Sequence, residues 1–335
     1  MKLKRIILSR TDSIGDVVLT LPLAGAIKKY FPQAEIIFFG STYTRDVISS
    51  CVHVNEFLNY DEFKLLDASG KKKFLQLARA DAIIHVFPRR DIATSAAAAK
   101  IPNRIGTSHR MYHWLTCNRL ISLGRKNSGL HEAQLNLSLL KKIGIGETFS
   151  LQQIPSLYGF SRFGNLPPAL GEILSPGKKN VILHPASQSS AREWTQENFL
   201  RLIWLLDESR FNIIITGTEK DLSACDEWIK KIPAHVHNLM GKMQLAELIS
   251  FIAASDALVA ASTGPLHLAA AAGKKAIGIF APIRPMHPGR WAPLGEHAIA
   301  LCVSKTCSDC ARDETQCHCI NEIKPEQVLA ELICS

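Results

Sequence analysis

Several things are scarce in this chain, and each scarcity narrows what it does. No stretch reaches the ~18 continuous apolar residues that a membrane-spanning helix requires, so no such span is expected. The opening Met1-Lys2-Leu3-Lys4-Arg5-Ile6-Ile7-Leu8-Ser9-Arg10 has an apolar run too short for a secretory leader, closed by Arg10 and Asp12. A cytoplasmic protein is the expectation. Aromatic residues are only 7%, and no nucleic-acid-binding motif accompanies the positive charge, which argues against a nucleic-acid partner. The loop after the first apolar run lacks the G-x-G-x-x-G spacing of a dinucleotide loop, which argues against hydride transfer. Acids are in deficit, 30 against 39 Lys and Arg, leaving +9 and favouring partners that carry phosphate or carboxylate.

What is present fits an ordinary folded, water-soluble chain of two domains: 335 residues, 47% hydrophobic and 21% charged. The charge is uneven. Residues 1–150 hold 22 Lys and Arg against 12 acids, and residues 151–335 hold 17 against 18. A basic domain that meets something acidic, joined to one that does not, is one reading of this asymmetry, and a solvated basic surface is the other. Scattered cysteines such as Cys51, Cys117 and Cys225 suit reduced core thiols better than a disulfide framework.

Apolar β-rich runs alternate with helical periodicity in both halves. In the first, Arg5-Ile6-Ile7-Leu8 predicts a buried strand, residues 16–30 a helix closed before Pro32, residues 35–39 a strand, 45–50 a helix and 82–86 a strand. Eight Pro and Gly residues between positions 152 and 179 predict a linker. Beyond it strands are predicted at 180–183, 212–215, 257–260 and 275–280, with helices at 197–208, 221–230, 245–254 and 265–272. Two doubly wound α/β domains result, and facing each other they would leave a cleft outside the carboxyl ends of both sheets.

The polar loops after the strands carry the chemistry. Ser13-Ile14-Gly15-Asp16 turns through Gly15 and sets Asp16 at a helix start, where free N–H groups stabilise a carboxylate. Asp16 reads either as a helix cap or as an ionised group for proton transfer. After residues 181–183, the loop His184-Pro185-Ala186-Ser187-Gln188-Ser189-Ser190-Ala191-Arg192 offers hydroxyls and one guanidinium to a diphosphate. Thr216-Gly217-Thr218-Glu219 offers a close backbone approach and an acceptor for ribose hydroxyls. Ala261-Ser262-Thr263-Gly264-Pro265-Leu266-His267 opens a helix whose N-terminus suits an anion. His267 reads equally as a packed core histidine or as a ligand contact, and Met243 in isolation as core.

Taken together these motifs resemble glycosyltransferase family 9, the heptosyltransferases of bacterial lipopolysaccharide inner core. The resemblance covers nearly the whole chain, through Ser13-Ile14-Gly15-Asp16-Val17-Val18-Leu19-Thr20-Leu21-Pro22, Ile101-Pro102-Asn103-Arg104-Ile105-Gly106, His131, Arg192-Glu193-Trp194, the segment from Gly241 to Leu248, and the segment from Ser262 to Ala269. It implies the GT-B architecture, two Rossmann-like domains facing across a cleft: residues 1–160 for the acceptor, a linker at 161–179, and residues 180–335 for the nucleotide sugar. It implies an inverting transfer of heptose, or a related sugar, from an ADP-sugar to an acidic, lipid-linked saccharide at the cytoplasmic face of the inner membrane, with no metal or other cofactor required for catalysis.

Residue by residue, the resemblance makes Asp16 the general base and assigns Ser187, Arg192, Glu219, Met243, Ser262, Thr263, Gly264 and His267 to the donor. Arg10, Arg89, Arg90, Arg104 and Arg110 are the acceptor contacts that the basic first half offers, and Lys71-Lys72-Lys73 a further attraction for anionic headgroups. Two positions depart from the family pattern: Ser262 stands where it usually has Asp, and Arg192 where it has Lys. The first removes a carboxylate from the donor sugar, and the second keeps the charge on a planar fork. A nucleotide-sugar epimerase or hydrolase, and a non-catalytic nucleotide-sugar-binding module, are the alternative functions. Finally, Cys307, Cys310, Cys317 and Cys319 form a C-x₂-C and a C-x-C pair, a soft donor set for structural zinc or iron, or else a group of reduced thiols.

Overall fold

Among the described residues twelve short strands, most with an apolar centre and a polar residue at one end, assemble into two parallel sheets of six. The computed structural model describes residues 3–125, 128–187, 191–283, 287–304, 307 and 318–334. The chain divides into Met1–Arg162 and Phe163–Ser335, each built on one sheet. Among the described residues no helix is long and apolar enough to cross a membrane.

In the first unit β1 (Arg5–Ser9), β2 (Glu35–Gly40), β3 (Glu56–Asn59), β4 (Ala82–His85), β5 (Asn103–Thr107) and β6 (Arg119–Ile121) lie in the order β3-β2-β1-β4-β5-β6. Ile6, Ile7 and Leu8 have no accessible surface, as a central parallel strand covered on both faces requires. The second unit repeats the plan with β7 (Lys179–His184), β8 (Phe211–Ile215), β9 (His237–Asn238), β10 (Ala257–Ala261), β11 (Lys275–Phe280) and β12 (Ala298–Cys302), ordered β12-β11-β10-β7-β8-β9. In each sheet the order reverses once, between β1 and β4 and between β7 and β10. Consecutive crossovers run in opposite directions there, and a gap opens at the carboxyl ends of the two strands.

Two predicted helices are each split in two. Residues 16–30 form Ile14–Val18 and Leu21–Tyr30, because Pro22 has no N–H to give and its ring would strike the carbonyl of Val18. Residues 221–230 form Glu219–Ala224 and Asp226–Ile229, with Cys225 between them out of helical geometry. The Pro- and Gly-rich stretch holds the turn Ile154–Leu157, packed on the helix Leu21–Tyr30, and Phe160, which bridges to Cys51. In the second unit Trp194 is 1% exposed, donates Nε1–H to the Ile323 carbonyl at 2.9 Å and meets Phe199 edge-on at 4.9 Å. This ties the C-terminal segment into the core, where the helix Pro325–Ile333 packs on Gln196–Leu205.

The end of the first sheet buries imidazoles. His85 pairs in register with Ser9, is 1% exposed, and neither ring nitrogen has a hydrogen-bond partner among the described residues. Its ring lies 5.3 Å from that of His113, which fits beside β5 because Gly106 has no Cβ; one there would approach His113 Nδ1 to 2.6 Å. Burial holds His85 down to about 3, and in the other unit His184 down to about 4. Both values lie below the ~6.5 of an unfolded chain, so the unfolded state gains protons first and stability is lost as pH falls from ~6.5 toward these values, by up to ~1.4 kcal/mol per pH unit per histidine. Thermal melts at stepwise lower pH should therefore show a steep fall in Tm that His85→Gln makes shallower. Parallel profiles for the two proteins would refute this account of His85.

Candidate active site

The loop from Arg10 to Ser13 leaves β1 at the reversal point of the first sheet, and the helix Ile14–Val18 begins at once. Asp16 sits in the first turn of that helix. Its carboxylate accepts from the Arg10 guanidinium through one oxygen and from the Ser13 hydroxyl through the other. Ser13 precedes the helix but makes no side-chain cap, its hydroxyl being directed to Asp16. The Asp16 side chain is 17% exposed, so it is fixed and still reachable.

Arg10 is the hub. Only 3% exposed, it pairs with Asp12 at 2.6 Å, with Asp16, and with Glu132 at 3.3 Å. Glu132 is 1% exposed and also pairs with Arg125, whose guanidinium reaches the Val86 carbonyl at 2.9 Å and Asn136 at 3.0 Å. Three carboxylates and two guanidiniums thus share one partly water-free region, the arrangement that buried charge requires. Burial pushes the Asp12 carboxyl above the usual carboxylate range against the pull of Arg10, with the neighbouring Asp16 charge adding to the rise.

Of the other expected acceptor residues, Arg89 is bonded to the loop that carries Arg10. Arg89 follows β4 across the same reversal point, donates to Thr11 at 2.6 Å and to the Tyr60 hydroxyl at 3.2 Å, and stacks 4.6 Å above the Tyr60 ring. Arg104 directs its guanidinium to the carbonyls of Thr116 and Ile101. Arg90 and Arg110 are exposed, one opening the helix Arg90–Ala98 and the other preceding the helix Met111–Thr116.

In the second unit the three loops expected to meet the donor leave β10, β7 and β8, which are adjacent in the sheet. Glu193 folds the first loop: its Oε1 accepts from the Ser187 amide at 2.6 Å and from the Ser187 hydroxyl at 2.9 Å. Arg192, two residues before the core residue Trp194, is half-buried; Gln188, Ser189 and Ser190 lie outside the described residues. His184 bonds to the Thr216 hydroxyl at 2.9 Å, joining the first loop to the second.

Glu219 is exposed at the head of the helix Glu219–Ala224, whose start is capped reciprocally by Thr218 and Asp221. The turn at Gly241 lies against it, with φ +73 and a missing Cβ that would come 3.2 Å from the Glu219 Cα. Half-buried Met243 follows two residues later. Ser262 and Gly264 are half-buried, and His267 is 3% exposed on the helix Gly264–Ala271. Thr263, immediately before that helix, is 5% exposed, and its hydroxyl has no hydrogen-bond partner among the described residues. A buried hydroxyl at a helix N-terminus, beside unsatisfied N–H groups, is a place for a ligand oxygen.

Of the cysteine cluster, Cys310 and Cys317 lie outside the described residues. Cys319 is 4% exposed within the apolar core and Cys307 packs against the same cluster. Among the described residues no group of three or more His, Cys, Asp or Glu side chains is set to hold a metal ion. Arg125, Glu132, Asp12 and Ser13 were not picked out as site residues from the sequence. Ser13 and Asp12 adjoin the motif, but Glu132 is 122 positions from Arg10 and no spacing signals that pair.

Comparison with known proteins gives the family and the fold. The profile described as glycosyltransferase family 9 (heptosyltransferase) matches residues 75–321. Over 296 residues the chain is 22% identical to the lipopolysaccharide core heptosyltransferase OpsX of Haemophilus influenzae, covering 84% of this chain and 80% of that protein. The crystal structure of a family 9 glycosyltransferase from Veillonella parvula superposes with a TM-score of 0.81 at 18% identity, covering 99% of this chain and 97% of the other. The structure of the Escherichia coli ADP-heptose lipopolysaccharide heptosyltransferase II gives 0.75 at 20% identity, covering 98% and 97%. The fold class is therefore the expected GT-B class of α/β protein, and the chain belongs to glycosyltransferase family 9, the heptosyltransferases.

Proposed function

We propose that this protein transfers heptose, or a closely related sugar, from an ADP-sugar to an acidic saccharide of the lipopolysaccharide core, with inversion at the anomeric carbon. The observation that carries this reading is Asp16: a carboxylate in the first turn of a helix at the sheet's reversal point, oriented from both sides by Arg10 and Ser13. Asp16 takes the proton from an acceptor hydroxyl as that oxygen attacks the anomeric carbon. The bond from that carbon to the ADP oxygen breaks, and ADP departs with the electron pair.

On the donor side Arg192 neutralises the leaving diphosphate, aided by the Thr263 hydroxyl and the N–H groups that open the helix Gly264–Ala271. Ser187 shapes that loop, Glu219 accepts from the ribose, Met243 lies against the base, and Ser262, Gly264 and His267 border the sugar. In this reading these groups do the work of a metal, and no cofactor takes part in the transfer. Arg89, Arg90, Arg104 and Arg110 supply positive potential toward the acceptor, with Arg10 acting from within through Asp16. The acceptor is lipid-linked, and the protein works at the cytoplasmic face of the inner membrane. A structural zinc or iron on Cys307, Cys310, Cys317 and Cys319 is a separate proposal, supported by their spacing.

Three outcomes test these assignments. Asp16→Asn should lower kcat by about 10²–10⁴-fold while ADP still raises Tm as it does for the unaltered protein and UDP and GDP do not; undiminished turnover, or stabilisation by UDP in preference to ADP, would overturn the base or the donor. Glu132→Gln should cost about 3 kcal/mol of stability by removing one partner of a buried pair. It should also lower kcat with little change in the donor KM, and a variant with unaltered kcat would separate Glu132 from the alignment of Asp16. Metal analysis of protein purified without chelator should find about one equivalent of zinc or iron, a one-ion site on four soft ligands, and metal-free protein removes that proposal.

A further inference from the structure

The helix Met111–Thr116 is built inside out. A surface helix ordinarily turns its apolar stripe to the core, yet Met111 is 89%, Trp114 65% and Leu115 90% exposed, while His113 and Thr116 on the opposite side are buried. Positions 111, 114 and 115 stand at i, i+3 and i+4, so the three apolar side chains form one outward stripe. The indole is fixed within it: Trp114 Nε1–H donates to the Ser108 carbonyl at 2.9 Å.

The surrounding charge selects what covers this stripe. Of the seven Lys and Arg from Val86 to Arg125, Arg90, Lys100 and Arg110 are exposed, and the single acid of this segment, Asp91, is half-buried. Exposed Arg110 adjoins the stripe, and exposed Arg90 and Lys100 flank the neighbouring helix Arg90–Ala98, which packs on Met111–Thr116. A second copy of this chain would bring two such cationic segments together, whereas an anionic surface with an apolar interior satisfies both features at once. Trp in particular favours the boundary between headgroups and acyl chains.

The geometry points to the Met111–Thr116 stripe as a docking surface for an anionic lipid bilayer, entered by Met111, Trp114 and Leu115 and flanked by Arg90, Lys100 and Arg110. This deepens the reading of a lipid-linked acceptor by naming the surface that brings the enzyme to it. Its test needs neither acceptor nor donor.

Full-length protein is sedimented with phosphatidylcholine vesicles containing or lacking phosphatidylglycerol. The unaltered protein should pellet with the anionic vesicles, less so with the neutral ones and less at high salt. Its tryptophan emission should shift to the blue on binding, and Trp114→Phe, which retains the other four tryptophans, should abolish the shift. The double variant Met111→Ser/Leu115→Ser should bind anionic vesicles at least tenfold more weakly, with its Tm and its response to ADP intact. Equal pelleting by the double variant, or no pelleting of the unaltered protein, would overturn the assignment. Concentration-dependent dimerisation abolished by the double variant, without vesicle binding, would give the stripe to a second copy instead. A protein that binds vesicles but gains no stability from ADP would leave this surface standing and remove the donor reading.

Discussion

A parallel sheet puts every strand's carboxyl end on one edge, and a right-handed crossover to each side forces the strand order to reverse somewhere along that edge. Both units obey this constraint, and the residues of interest collect where it acts. Asp16 and Arg10 follow β1, and Arg89 follows its neighbour β4. The loops of Ser187, Thr216 and Thr263 follow β7, β8 and β10. No other part of either sheet brings loops from oppositely directed crossovers beside one another, so polar side chains placed there can converge without disturbing the apolar strands behind them.

Within the first unit a buried charge organises that location. A guanidinium at 3% exposure is tolerable only with its countercharges in place, and Arg10 has three. The same contacts restrict Asp16 to one orientation, so the demand for charge neutralisation also positions a carboxylate. The second unit uses apolar anchoring instead: Trp194 fills the core and Glu193 ties the loop back to Ser187, so the two residues that follow Arg192 are both anchored. Asp16 is oriented by ion pairing, whereas the loop that carries Arg192 is anchored through Trp194 and Glu193.

The positive charge of the first half is divided between interior and surface. Arg10, Arg104 and Arg125 are bonded to carboxylates or carbonyls of their own unit, and Arg89 is engaged by Thr11 and Tyr60. Arg90, Lys100 and Arg110 are exposed. Composition cannot separate these groups, because a net charge is indifferent to whether its bearer faces water or a buried carboxylate.

Local chemistry was legible in the sequence wherever it depends on residues a few positions apart. The apolar runs that became β1, β2, β4, β7, β8, β10 and β11, the helix start at Asp16 and the turn before the helix Gly264–Ala271 all rest on such short-range patterns. The short strands β3, β6 and β9 escaped, being brief or mixed in polarity, and β5 and β12 were not read as strands either. The helix expected through Leu19 and Thr20 ignored what Pro22 does to the turn before it. Tertiary structure alone decided that Glu132 would neutralise Arg10 from 122 positions away, that His85 would be buried beside Ser9, and that the apolar side of Met111–Thr116 would face outward. These depend on which surfaces of distant segments meet, and no periodicity within a segment encodes the partner it will find.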